Sequence, residues 1–163
     1  MKFKIKKTLA IFLLLFLASC VLAGCKKQTK QTEQTQEFDS KSVESEIQTI
    51  LFGQEEMSAE AGKLADEGKI EESQAKIDKI IEKLKKAQEL NKTIINNVTK
   101  DKKYYQKRDE VFDDSVDLYQ KMKECISYLT DEKEKASECM QEVIEKRKAL
   151  DAKGKEMLEL RPK

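Results

Sequence analysis

The chain has 163 residues, with 32 Lys and Arg against 31 Asp and Glu, and it contains neither His nor Trp. The lack of His removes the commonest metal ligand and general base, and a formal net charge of +1 gives no reason to expect nucleic-acid binding. Five Gly and one Pro leave few turn residues, which favours long helices over sheets. Composition therefore predicts an all-α protein that binds no metal and no other cofactor.

Residues 1–24 have the layout of a secretory signal peptide. Four of the first seven residues are Lys, and the 16 residues from Leu9 to Gly24 are uncharged. This stretch is shorter than the roughly 20 residues that a membrane-spanning helix needs, and Lys26 and Lys27 follow it directly. We therefore expect the segment to be cleaved rather than retained in a membrane.

The segment ends in Leu22-Ala23-Gly24-Cys25, which resembles the lipobox of bacterial lipoproteins. The resemblance implies lipidation of Cys25 and cleavage of the bond before it. Leu17-Ala18-Ser19-Cys20 also fits the box, but the polar sequence starts directly after Cys25, so Cys20 is the alternative. Two or more acyl chains anchor a protein firmly. The expected location is extracytoplasmic, on the bacterial cell membrane, with the lipid as the membrane contact.

Residues 25–38 are expected to form a disordered polar tether, because residues 26–37 include no apolar side chain that could offset ordering entropy. Residues 39–160 are predicted to form a helical domain. Apolar residues recur at helical spacing from Val43 to Leu64, with only Gln54 breaking the row. Asp39 or Ser40 can cap this first helix, and Gly68 can supply the left-handed residue past its end.

Three further apolar rows run over residues 70–98, 104–129 and 136–158. Four segments of similar length with short loops predict an up-down-up-down four-helix bundle of antiparallel helices. In the alternative, the second and third helices fuse across residues 98–104 into an extended coiled coil that needs a partner chain. The sequence leaves the oligomeric state open.

Cys125 and Cys139 lie on predicted apolar faces, about equally far from the turn near residue 132. An antiparallel hairpin would bring them level, and export to an oxidising compartment favours a disulfide. Two buried free thiols are the alternative.

A basic cluster follows the second helix, and the bundle topology would place it on the membrane side. Such a cluster can contact anionic lipid or an anionic envelope polymer. The alternative is an ordinary solvated turn whose tyrosines cover the core. The candidate contact residues are Lys100, Lys102, Lys103, Lys107 and Arg108.

No glycine-rich phosphate loop, zinc motif or nucleophile elbow occurs in the sequence, so we expect no catalytic or cofactor-binding residues and no enzyme. The predicted function is a lipid-anchored module that binds a cell-wall polymer or an envelope protein. In size and anchor the chain loosely resembles the small helical lipoproteins known as cell-wall-binding proteins. The alternative is a small-molecule-binding or sensory accessory lipoprotein of a transporter or membrane kinase. Its inward-facing polar candidates are Gln54, Asn91, Arg108, Ser115 and Arg147.

Overall fold

A computed structural model of the protein describes residues 38–162, and this part of the chain is all-helical with no strand. The signal segment, residues 25–37 of the predicted tether and both lipidation candidates, Cys20 and Cys25, lie outside the described residues. Phe38, the last residue assigned to the tether, is partly buried against the core. No helix from residue 38 to residue 162 is both long and apolar enough to cross a bilayer. The elements are α1 (Ser40–Leu51), α2 (Gln54–Asp66), α3 (Ile70–Asn97), α4 (Lys102–Ser127) and α5 (Lys133–Glu159).

The first helix begins where the sequence predicts but does not continue as one rod. Asp39 is the N-cap, and its Oδ1 accepts hydrogen bonds from the backbone N–H groups of Lys41 and Ser42 at 3.1 and 3.2 Å. The prediction of a single helix from Val43 to Leu64 is wrong. Helix α1 ends at Leu51, and Gly53 adopts φ 74°, a left-handed conformation that glycine takes without steric cost.

The end of α2 confirms the prediction that Gly68 supplies the left-handed residue past the helix end. Gly68 has φ 76°, its N–H donates to the Ala65 carbonyl, and the Lys69 N–H donates to the Leu64 carbonyl at 2.8 Å. These two bonds form a Schellman motif, which satisfies carbonyls that the last helical turn leaves free. The turn sends α3 back along α2, and the Ser73 hydroxyl donates to the Ala61 carbonyl across the pair at 2.7 Å.

Helices α3 and α4 are separate antiparallel neighbours, so the fused-helix alternative is wrong. Gln88 donates to Asp113 at 2.7 Å, and near the other end of the pair Lys123 reaches Asp78 at 2.6 Å. The chain reverses between Asn97 and Lys102, where Asp101 adopts a left-handed φ of 59°. Residues 96, 97 and 99 are Asn, Asn and Thr, which are weak helix formers, so the helix ends locally here.

Helix α5 packs against α4, and α3 packs against α1, α2 and α4. Lys121 pairs with Glu142 and Lys107 with Glu156, both between α4 and α5, so these two helices are also antiparallel. The structure is therefore a bundle of mutually packed helices in which α1 and α2 together occupy the place predicted for one. Its most deeply buried apolar side chains include Ile77, Ile80, Ile94, Phe112 and Leu118.

Contacts between helices show that the helix ends form two groups, one at each end of the bundle. The start of α1, the α3–α4 turn and the end of α5 lie together, because Glu44 pairs with Arg108 and Lys107 pairs with Glu156. We call this the basic end. The α2–α3 and α4–α5 turns lie together at the other end, where the Gln74 amide donates to the Lys123 carbonyl at 3.3 Å.

Candidate functional site

Three lysines at the basic end are exposed, and none of their side chains makes an ion pair or hydrogen bond within residues 38–162. They are Lys100, Lys102 and Lys103, and we call them the lysine turn. Their position follows from the helix break at residues 98–101, which projects this segment away from the core. The structure thus brings together three of the five residues predicted to contact an anionic surface.

Lys107 is not a free surface charge. Its Nζ lies 2.8 Å from Glu156 and 3.1 Å from Glu110, and the side chain is only 21% exposed. The hydrogen bond to Glu156, followed by the bond to Glu110, raises the pKa of the Lys107 ammonium. Two neighbouring carboxylates therefore neutralise this charge, and the prediction that Lys107 contacts an external anion loses its support.

The prediction for Arg108 is wrong, because the side chain is 3% exposed and points into the bundle. Its Nε donates to the Asn91 side-chain oxygen at 2.7 Å, and its Nη1 donates to both carboxylate oxygens of Glu44 at 2.8 and 2.7 Å. A buried charge needs such partners, since an isolated one is strongly destabilising.

Two aromatic rings enclose the same guanidinium. Its central carbon lies 5.6 Å from the Tyr104 ring centroid and 5.0 Å from that of Tyr105, and the two rings meet edge to face. These separations fall within the range of cation–π contacts. Burial, followed by the negative charge of Glu44, raises the pKa of the Tyr105 hydroxyl, which favours its neutral form.

Asn91 ties this arrangement to both helices of the α3–α4 pair. Its side chain has no exposed surface, and its Nδ2 donates to the Tyr105 carbonyl at 2.9 Å and to Asp109 at 3.4 Å. Since its oxygen accepts from Arg108, all of its polar atoms are used. We call this group the Arg108 cluster: Glu44, Asn91, Tyr104, Tyr105 and Arg108.

Sequence reasoning placed Asn91 and Arg108 among inward-facing polar residues but missed Glu44. The available signal was weak: Glu44 precedes Ile47 by three positions, so it borders the apolar face of α1. Nothing local indicates that its partner lies 64 residues further along the chain. Only the packing of α1 against the α3–α4 pair brings the two charges together.

The other inward-facing candidates do not join this cluster. Ser115 donates to the Val111 carbonyl in its own helix at 2.7 Å, and Arg147 pairs with Asp151 in α5 at 3.0 Å. Gln54 is half-buried and hydrogen-bonds Tyr119, whose hydroxyl pKa is raised chiefly by burial. These three residues therefore lie outside the Arg108 cluster: Ser115 bonds within α4, Arg147 pairs with Asp151 within α5, and Gln54 reaches from α2 to Tyr119 of α4.

Cys125 and Cys139 form a disulfide, as the sequence predicts, with their Cα atoms 5.3 Å apart. The residues are 0% and 4% exposed, so the bond lies inside the α4–α5 hairpin. A buried disulfide of this kind restrains the fold, and reactive cysteines are instead partly accessible.

Within residues 38–162, no group of three His, Cys, Asp or Glu side chains could hold a metal ion. An open groove of about 550 Å³ runs along the α3–α4 face beside the Arg108 cluster, and it is shallow and mixed in charge. Its lining residues are Lys92, Ile95, Asn96, Gln106, Asp109 and Glu110.

Comparison of the chain with protein-family models, with curated proteins and with solved structures finds no significant match in any of the three. The assignment of function therefore depends on the chemistry of the lysine turn and the Arg108 cluster.

Proposed function

We propose that this protein is a lipid-anchored extracytoplasmic module that acts by contact rather than by catalysis, with the lysine turn binding an anionic polymer of the cell envelope. One observation carries the proposal. Three exposed lysines whose side chains have no partner among residues 38–162 lie at the same end of the domain as Asp39, where the chain leaves the segment we interpret as a tether. A lipid on Cys25 would hold that end toward the membrane.

The helix order also bears on this proposal. Antiparallel contacts of α3 with α4, and of α4 with α5, support an up-down-up-down arrangement in which α1 and α2 act as the first rod. In that arrangement the lysine turn and the end of α5 both return to the anchored end. Each lysine near an anionic surface contributes roughly 1 kcal/mol at physiological ionic strength. Three of them suffice for a weak, salt-sensitive contact.

Reversing the charge of the lysine turn tests the polymer contact. We expect the Lys100→Glu/Lys102→Glu/Lys103→Glu variant to pellet with anionic cell-wall material at least tenfold more weakly, because about 1 kcal/mol per lysine is lost and repulsion is added. The measurement is the bound fraction against polymer concentration at two salt concentrations, with vesicles containing phosphatidylglycerol as a parallel arm.

The matched control is Lys79→Glu/Lys85→Glu/Lys86→Glu, which changes the charge equally at exposed α3 positions whose side chains also have no partner in the described part of the chain. Equal loss in both triple variants would mean that net charge alone drives pelleting and would refute a role for the turn. Binding to vesicles with none to wall material would move the partner from polymer to lipid.

Replacing Cys25 by Ala tests the anchor. We expect the protein to move from the membrane fraction to the soluble fraction, because two or more acyl chains are needed for permanent attachment. Fractionation followed by immunoblotting measures the change, and Cys20→Ala is the matched control, which should stay in the membrane fraction. Retention of Cys25→Ala, or release of Cys20→Ala alone, would contradict the assignment.

A further inference from the structure

The guanidinium of Arg108 is held in place by groups other than its carboxylate partner. Nε donates a hydrogen bond to Asn91 Oδ1 at 2.7 Å, and the ring centroids of Tyr104 and Tyr105 lie within 6 Å of the central carbon. Asn91 is in turn held by the Tyr105 carbonyl. These four residues all belong to the α3–α4 pair, so this cationic site would persist if Glu44 moved away.

Glu44 accepts hydrogen bonds from only one of the three guanidinium nitrogens. Both of its carboxylate oxygens accept from Nη1, at 2.8 and 2.7 Å. Nη2 is buried and has no hydrogen-bond partner among residues 38–162. A carboxylate bound in the fork geometry would engage two nitrogens with one oxygen each. The Nη2 donor of the site therefore remains available to a ligand. Buried donors without a partner are rare in folded proteins.

Helix α1, which carries Glu44, is the element of the bundle best placed to undock. It is 12 residues long, and Ile47 is its only fully buried residue. After its end Gly53 adopts a left-handed conformation, and no neighbouring atom lies within 4 Å of the position that a Cβ would take, so this glycine is the expected pivot for undocking. Segments with few buried contacts open locally at low free-energy cost.

We propose that Arg108 and Asn91 form a binding site for a ligand with a free carboxylate, and that α1 covers this site with Glu44 as an internal substitute for the ligand. The ligand enters when α1 undocks and engages Nη1 and Nη2 together. This inference needs neither the lipid anchor nor the lysine turn, so it stands apart from the proposed polymer contact.

Chemical rescue tests the site directly. Glu44→Ala retains Cβ, and acetate supplies the missing methylene carbon and carboxylate. In the full chain purified in mild detergent, we expect acetate to raise the Tm of Glu44→Ala saturably, by about 3–6 °C at ten times its Kd, at ionic strength held constant with chloride. The near-ultraviolet circular dichroism of the tyrosines should change with the same Kd.

Two variants isolate the site. Glu46→Ala removes an exposed carboxylate of the same helix that has no partner from Phe38 to Pro162, and acetate should leave the Tm of this variant unchanged. Glu44→Ala/Arg108→Met lacks the guanidinium and should show no rescue. A Tm rise that is equal in all variants, or is matched by chloride, would overturn the proposal. Tighter binding of inorganic phosphate than of acetate would overturn the assignment to carboxylates.

Hydrogen exchange of the unaltered chain tests whether α1 covers the site, and does not require any variant to fold. Acetate that binds only the undocked state should speed exchange of the α1 amides by a factor of one plus the ratio of its concentration to Kd. The expected acceleration is roughly elevenfold at ten times Kd. Amides of α3 between Ile77 and Leu84 should not change. Unaltered α1 exchange, or equal acceleration in α3, would overturn the proposal.

Discussion

Replacing Asn91 by Ala is expected to lower the free energy of unfolding by about 2–4 kcal/mol, because the variant leaves the buried Nε of Arg108 without an acceptor. It also removes the side-chain bond to the Tyr105 carbonyl that links α3 to α4. A lost hydrogen bond to a charged group costs more than a neutral one, since the unpaired charge keeps its full desolvation penalty. Urea denaturation followed by far-ultraviolet circular dichroism measures the change.

Asn96→Ala is the matched control, because it makes the same substitution at an exposed position of the same helix. Its effect should stay within about 0.5 kcal/mol. Similar losses in the two variants would mean that the loss does not come from the Arg108 contacts, since Ala is the better helix former and helix propensity alone would stabilise both variants. A loss below about 1 kcal/mol for Asn91→Ala would show that another group or solvent satisfies Arg108 once the amide is gone.

Removing the Cys125–Cys139 disulfide is expected to cost about 3 kcal/mol, because the bond closes a loop of about 15 residues and restricts the unfolded chain. The Cys125→Ala/Cys139→Ala variant should therefore unfold at a clearly lower urea concentration than the oxidised protein. Both sulfur atoms are buried, so the unaltered chain must be reduced while unfolded and then refolded under reducing conditions for comparison.

The reduced unaltered chain provides the control for packing. Its free energy of unfolding should fall by about as much as that of the Ala variant. Any extra loss in the Ala variant would measure the cost of the cavity left by the two missing sulfur atoms. A reduced chain as stable as the oxidised one would contradict the entropic argument. Helix packing alone would then be enough to hold the α4–α5 hairpin, and the disulfide would add no stability.

Much of the helical organisation could be predicted because its causes are local. The cap at Asp39 and the stop at Gly68 depend on hydrogen bonds within a few residues. The position of the disulfide follows from two cysteines equally spaced from a turn. The break at Gly53 also had a local signal, a glycine beside the out-of-pattern Gln54, but the surrounding apolar row outweighed it.

The candidate site was harder to predict, because its members are distant in sequence. A run of basic residues gives no sign that Lys100 stays exposed while Lys107 pairs with Glu156 and Arg108 turns inward. Along a helix, a difference of one residue rotates a side chain by about 100°, which is enough to move it from solvent to core. The carboxylate that receives Arg108 comes from α1, on another part of the chain.

The sequence by itself determined the helical class and most of the helix ends, and it favoured the cysteine pairing, because periodicity, caps and loop length act over short distances. The tertiary structure alone decided which charges face solvent and which are buried, since that depends on where α1 packs against the α3–α4 pair. Burial of one guanidinium requires an acceptor and a carboxylate from two other helices. No stretch of sequence contains both, and only folding brings them within hydrogen-bond distance.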